Sequence, residues 1–91
     1  MVCSQHHLAT KAGVEVLRAG GNAMDAAIAT GLMLGVVEPW MSGFGGGGYL
    51  LAYQATEERV YQIDFGMQAP LAAEPGLFKL ADSGTNSSDA F

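Results

Sequence analysis

Gly43-Phe44-Gly45-Gly46-Gly47-Gly48 carries the letters of a phosphate-cradling loop, G-x-G-x-x-G, and Asp64 follows about twenty residues later, where a dinucleotide fold places its ribose-binding acid. That chemistry needs a strand before the glycines and a helix after them, so that the helix N-terminus receives the pyrophosphate. Here an apolar helical stretch comes first and β-forming residues follow, which is the reverse order. A Walker loop fails as well, because Tyr49-Leu50 stands where Lys and Ser or Thr would meet phosphate and magnesium. A single glycine of the run reads as a device for tight packing of helix, loop and strand. The run as a whole predicts close approach of a substrate or a neighbouring chain to this backbone.

Candidate nucleophiles do not assemble into a site. Ser4 with His6 and His7 offers the residue types of a serine triad, but adjacent histidines where a helix starts read as exposed or capping groups. Thr10 and Thr30 fall inside predicted helices and Thr56 in a hairpin loop, so each reads as structural or solvated. Cys3 is the single cysteine, which excludes an intrachain disulfide, and no Cys/His spacing suits zinc.

The chain has 91 residues, 49% of them hydrophobic, which fits one packed globular unit. A unit of this size buries roughly 60% of the surface its unfolded chain exposes, a thin margin against ordering entropy. Thirteen glycines widen the unfolded ensemble further, so stability is expected to come from a partner or a longer chain. The net charge of -5, with only Lys11, Arg18, Arg59 and Lys79 as cations, argues against nucleic acid and against anionic membrane surfaces. The first residues lack a basic segment followed by an apolar one, so they do not read as a secretory signal, and the compartment stays open.

The elements that must position these residues follow from pattern. Val2 and Cys3 predict a short strand, and residues 8–18 an amphipathic helix with Leu8, Ala12, Val16 and Ala19 on one stripe and Lys11, Glu15 and Arg18 opposite. Gly20-Gly21 ends it. Asn22 with Asp25 predicts a capped start for a second helix over residues 23–37, apolar nearly all round and in need of cover on every side. Its apolar run is shorter than the roughly 20 residues that span a bilayer, and Thr30, Gly31 and Gly35 suit close helix packing. Glu38-Pro39 stops it. Residues 49–53 and 60–65 predict a hairpin, and residues 83–91 a loop or frayed end.

Three blocks then converge. Gly20-Gly21-Asn22-Ala23-Met24-Asp25-Ala26-Ala27, Val36-Val37-Glu38-Pro39 and Ser42-Gly43-Phe44-Gly45-Gly46-Gly47-Gly48 together resemble the γ-glutamyltransferase (γ-glutamyltranspeptidase) family, in its order and spacing. Met1 to Ser4 with His7-Leu8-Ala9, and Ile63-Asp64-Phe65 with Ala69-Pro70, extend the resemblance across residues 1–78. It implies an α+β fold: residues 1–91 as an N-terminal fragment of the large subunit of an N-terminal nucleophile hydrolase, a four-layer αββα sandwich that cleaves itself into two subunits. The implied activity is transfer of a γ-glutamyl group from glutathione or a similar amide to water or an amino acid, by the N-terminal Thr of the small subunit. The implied partners are the rest of the large subunit and that small subunit, and the resemblance implies neither a metal nor an organic cofactor. No catalytic residue is then expected within this chain, and Thr85 with Asn86-Ser87-Ser88 does not resemble the family's cleavage site.

The resemblance also implies an Arg that holds the donor carboxylate between the aromatic strand end and the Ala-Pro. In Asp64-Phe65-Gly66-Met67-Gln68-Ala69-Pro70 that position is Gly66, and Gln68 donates hydrogen bonds without a charge. Gly66 and Gln68 are therefore the expected substrate-binding residues. A branch acting on other acyl amides, of the cephalosporin-acylase kind, is the alternative, and a non-enzymatic module the third reading.

Overall fold

Local chemistry sets both ends of both helices in the computed structural model of the chain, which describes residues 1–77. Helix α1 spans His7–Arg18, starting one residue before the apolar pattern does. The cause is His6, an extended N-cap whose Nδ1 accepts from the Leu8 N–H at 3.2 Å. At the other end Gly20 adopts φ +97°, and the N–H groups of Gly20 and Gly21 donate to the carbonyls of Leu17 and Val16 at 3.1 and 2.9 Å. This double bond pattern is a Schellman cap, which needs a left-handed residue at the position of Gly20.

Helix α2 spans Ala23–Val37 and opens on the predicted reciprocal cap. Asn22 Oδ1 accepts from the Asp25 N–H at 2.9 Å while Asp25 Oδ2 accepts from the Asn22 N–H at 3.0 Å. The helix stops as expected at Glu38, whose N–H donates to the Leu34 carbonyl just before Pro39.

The two helices meet through their smallest residues. Ala9, Gly13, Ala26 and Thr30 are buried, and Thr30 Oγ1 donates to the Ala26 carbonyl at 2.8 Å. The predicted stripe on α1 is therefore displaced. Leu8 and Ala19 are exposed, and Ala12 and Val16 flank an open groove shared with Leu32 and Val36 of α2. Close approach of two helix backbones selects the residues with least side chain, whereas a hydrophobicity pattern selects the largest apolar ones. The cover that α2 requires is supplied on one side only, since Ile28 remains 53% and Val36 72% exposed.

Val2 and Cys3 form no strand among the described residues. A strand needs a ladder partner, and the Val2 side chain instead lies against Gly13. Ser4 Oγ donates to the His6 carbonyl at 2.9 Å and shares a hydrogen bond with Thr10 Oγ1 at 2.7 Å, tying the leading segment to α1. Gln5 Nε2, just before α1, donates to a Glu38 carboxylate oxygen at the end of α2.

Strands β1 (Tyr49–Gln54) and β2 (Arg59–Asp64) pair antiparallel, in register from Tyr49 opposite Asp64 to Gln54 opposite Arg59. The turn closes with the Glu58 N–H donating to the Ala55 carbonyl at 3.3 Å, and Glu58 takes φ 49°. Thr56 lies in this turn and accepts from Gln54 Nε2 at 3.3 Å, as a solvated loop residue. The described residues bury no large side chain completely, and none of their helices is long and apolar enough to cross a membrane. Thr85 and the predicted frayed end at residues 83–91 lie outside the described residues.

Candidate functional site

The glycine run and the segment after β2 are brought together by the hairpin register. Beyond the Tyr49–Asp64 pair the ladder continues by one more pair: the Phe65 N–H donates to the Gly48 carbonyl at 3.0 Å and the Gly48 N–H to the Phe65 carbonyl at 3.3 Å. Gly47 then lies flat against residues 65–67. A β-carbon on Gly47 would stand 2.9 Å from both Met67 N and Phe65 O, and 3.1 Å from Met67 Cγ. On Gly48 it would meet the Phe65 ring at 2.9 Å from Cζ. Contacts this short do not occur without displacement; at position 47 two of them are with backbone, so glycine is required there, whereas at position 48 the Phe65 ring can turn aside.

At Gly47 and Gly48 the close approach is made by the chain's own segment, as the tight-packing reading of a single glycine has it, and not by a substrate or a neighbouring chain. Gly43 and Gly45 have open space where a side chain would be. The observed order of helix, glycine run and strand is also the one that removes the dinucleotide reading. Asp64, the residue that reading needs, has Oδ1 accepting from the Gly66 N–H at 3.0 Å.

Gly66 and Gln68 are both exposed, in the irregular segment that leaves β2. Gly66 does not have a positive φ, and a β-carbon there would contact only Asp64 Oδ1, at 3.3 Å. Backbone geometry thus admits a larger residue at position 66, and the open space beyond it would receive the side chain. His6, which the triad reading would use as a base, instead caps α1, and its ring stacks on His7 at 4.8 Å between centroids. Sequence reasoning missed Gly47 as a neighbour of Met67. The available signal was the hairpin itself, which obliges residues before β1 to face residues after β2.

Two helices, a glycine-rich connection and an antiparallel hairpin define an α+β portion of an N-terminal nucleophile hydrolase. The chain superposes on Helicobacter pylori gamma-glutamyltranspeptidase with a TM-score of 0.77 at 40% identity, covering 92% of this chain and 24% of that one. Against the Bacillus anthracis transpeptidase enzyme CapD the TM-score is 0.72 at 39% identity, covering 81% of this chain and 25% of that one. The Gamma-glutamyltranspeptidase family profile matches residues 9–90. The glutathione hydrolase proenzyme of Bacillus subtilis (strain 168) is 45% identical over 78 residues, 86% of this chain. That of Escherichia coli (strain K12) is 42% identical over 84 residues, 92% of this chain. The chain belongs to the gamma-glutamyltranspeptidase family. It spans 13% of the length of the Bacillus subtilis relative and 14% of the Escherichia coli one.

Proposed function

We propose that this chain is the opening part of the large subunit of a γ-glutamyltransferase or glutathione hydrolase. The observation that carries this reading is the 45% identity over 78 residues to a glutathione hydrolase proenzyme. In such an enzyme a Thr hydroxyl is inert until cleavage frees its own α-amino group to act as general base, so the chemistry needs neither metal nor organic cofactor. That Thr belongs to the small subunit. The present chain supplies a wall of the sandwich and one side of the donor subsite, with Gly66 and Gln68 facing the donor carboxylate.

The remainder of the large subunit and the small subunit are the partners in this reading. The uncovered face of α2 and both faces of the hairpin are the surfaces they would cover, which accounts for exposed Ile28, Val36, Leu51 and Val60. A second reading keeps the fold and exchanges the substrate for a neutral acyl amide. It is favoured by Gly66, which brings no charge to the position where the family resemblance calls for Arg.

The test is to express the complete product of the encoding gene and compare γ-glutamyl-p-nitroanilide with neutral acyl anilides. Preferential turnover of the glutamyl compound supports the first reading and removes the second. Turnover of neither, in a product that has cleaved itself, removes both.

A further inference from the structure

Gly45 to Gly48 offer no side chain to any ligand, yet one of them fixes the segment that carries both candidate binding residues. We propose that Gly47 is a positioning residue for the donor subsite, its missing side chain setting where Gly66 and Gln68 stand. The inference rests on the placement of that subsite at residues 66–68. Its physical basis is separate: the Gly47 backbone lies against Phe65 O, Met67 N and Met67 Cγ, with no room for a β-carbon.

Two of those three neighbours are backbone atoms. A flexible side chain swings away from an added methyl group, but a backbone atom moves only by carrying its neighbours along. The next pair along, Gly48 with Phe65, is doubly hydrogen-bonded and anchors the N-terminal side of the segment. Relief of the clash at Gly47 is therefore directed into Met67 and onward to Gln68. Gly66 lies between the anchored and the displaced residue, with its N–H held by Asp64. A shift that breaks a hydrogen bond from this segment to the donor carboxylate weakens donor binding by roughly ten- to a hundredfold, because a hydrogen bond to a charged group contributes about 1.5–3 kcal/mol.

The neighbouring glycines provide internal controls. Gly45 has nothing within contact distance of an added β-carbon, so Gly45→Ala adds the same methyl group to the same run without pushing on residues 65–67. Gly48→Ala pushes on the Phe65 ring and not on the Met67 peptide.

The experiment uses the complete gene product, with steady-state kinetics on whichever donor it turns over, γ-glutamyl-p-nitroanilide or a neutral acyl anilide. Gly47→Ala, Gly45→Ala, Gly48→Ala and Gln68→Ala are compared, and self-cleavage is followed on gels as a report on folding. The expected result is a rise in donor KM of roughly tenfold or more for Gly47→Ala, with self-cleavage intact and kcat changed less than KM. Gly45→Ala leaves KM within about twofold, and Gln68→Ala raises it. A normal KM in Gly47→Ala beside a raised KM in Gln68→Ala overturns the positioning role and leaves the subsite standing. Normal KM in both, or a raised KM in Gly47→Ala alone, overturns the subsite and the positioning role together, as does a product that turns over neither donor. If Gly47→Ala does not accumulate, Gly47→Ala with Met67→Gly removes the side-chain part of the clash. Recovery of cleaved protein with a raised KM supports the role, and recovery with a normal KM overturns it.

Discussion

Gly13 of α1 lies so close to Thr30 of α2 that a β-carbon added to it would stand 2.3 Å from Thr30 Oγ1. The same methyl group would reach Val2 Cγ1 at 2.9 Å and the Ala26 carbonyl at 3.2 Å, so the crossing admits no side chain larger than hydrogen. Gly13→Ala is therefore expected to destabilise the complete gene product by about 1–3 kcal/mol, the usual cost of forcing volume into a packed contact. In a double-mutant cycle with Thr30→Ala, the pair should cost less than the sum of the singles, because the nearest clash is gone. Denaturant unfolding of the four proteins measures this, and simple additivity would show that the contact does not set the crossing.

The isolated chain of 91 residues should self-associate or aggregate. Its only buried hydrophobic residues among those described are Ala9 and Ala26, while Trp40, Phe44, Tyr49 and Leu51 are all more than two-thirds exposed. Burial of two alanines falls far short of the entropy of ordering a chain this long. Sedimentation velocity over a concentration series checks this, and a monodisperse monomer with a cooperative thermal melt would contradict it.

Glu58 closes the hairpin turn at φ 49°, a conformation that costs a residue with a β-carbon roughly 1–2 kcal/mol. Glycine removes that strain and adds unfolded-state entropy worth roughly 0.5–1 kcal/mol in the other direction. Glu58→Gly is thus expected to stabilise the complete product by about 0–1.5 kcal/mol, the difference of those two ranges. Glu57→Gly should act oppositely, because the Glu57 carboxylate accepts from the Tyr61 hydroxyl across the turn. The ordering of the two variants in denaturant midpoint is the readout.

What sequence made legible was chemistry confined to a few neighbouring residues. Gly20-Gly21 and Asn22 with Asp25 declare their caps because each cap bonds groups within a single turn, and the Lys11–Glu15 pair forms at 3.9 Å for the same reason. The buried face of α1 was read wrongly from Leu8 and Val16, because the contact with α2 was won by Ala9 and Gly13, residues that contribute little hydrophobicity. The approach of Gly47 to Met67 was illegible for a different reason. It depends on hairpin register, which is set by side-chain pairing and turn geometry across residues distant in sequence. Gly66 and Gln68 were expected from the family resemblance alone, and the structure adds that their neighbours Phe65 and Met67 lie against the glycine run.

Gly66→Arg tests the donor subsite by gain rather than loss. The position tolerates a side chain, since its φ is not positive and an added β-carbon meets only Asp64 Oδ1, at the movable end of a carboxylate. On the proposed function an Arg there would have two partners, the Asp64 carboxylate and the carboxylate of a γ-glutamyl donor. Pairing with Asp64 would hold the guanidinium near the turn, and its remaining N–H groups would stay free for a second, bidentate contact. A charge-assisted hydrogen bond contributes about 1.5–3 kcal/mol, which corresponds to a fall in donor KM of roughly ten- to a hundredfold. The effect should be confined to donors that carry the carboxylate, so a neutral acyl anilide serves as the comparison. An equal change for both donors, or none for either, would mean that position 66 does not face the donor carboxylate.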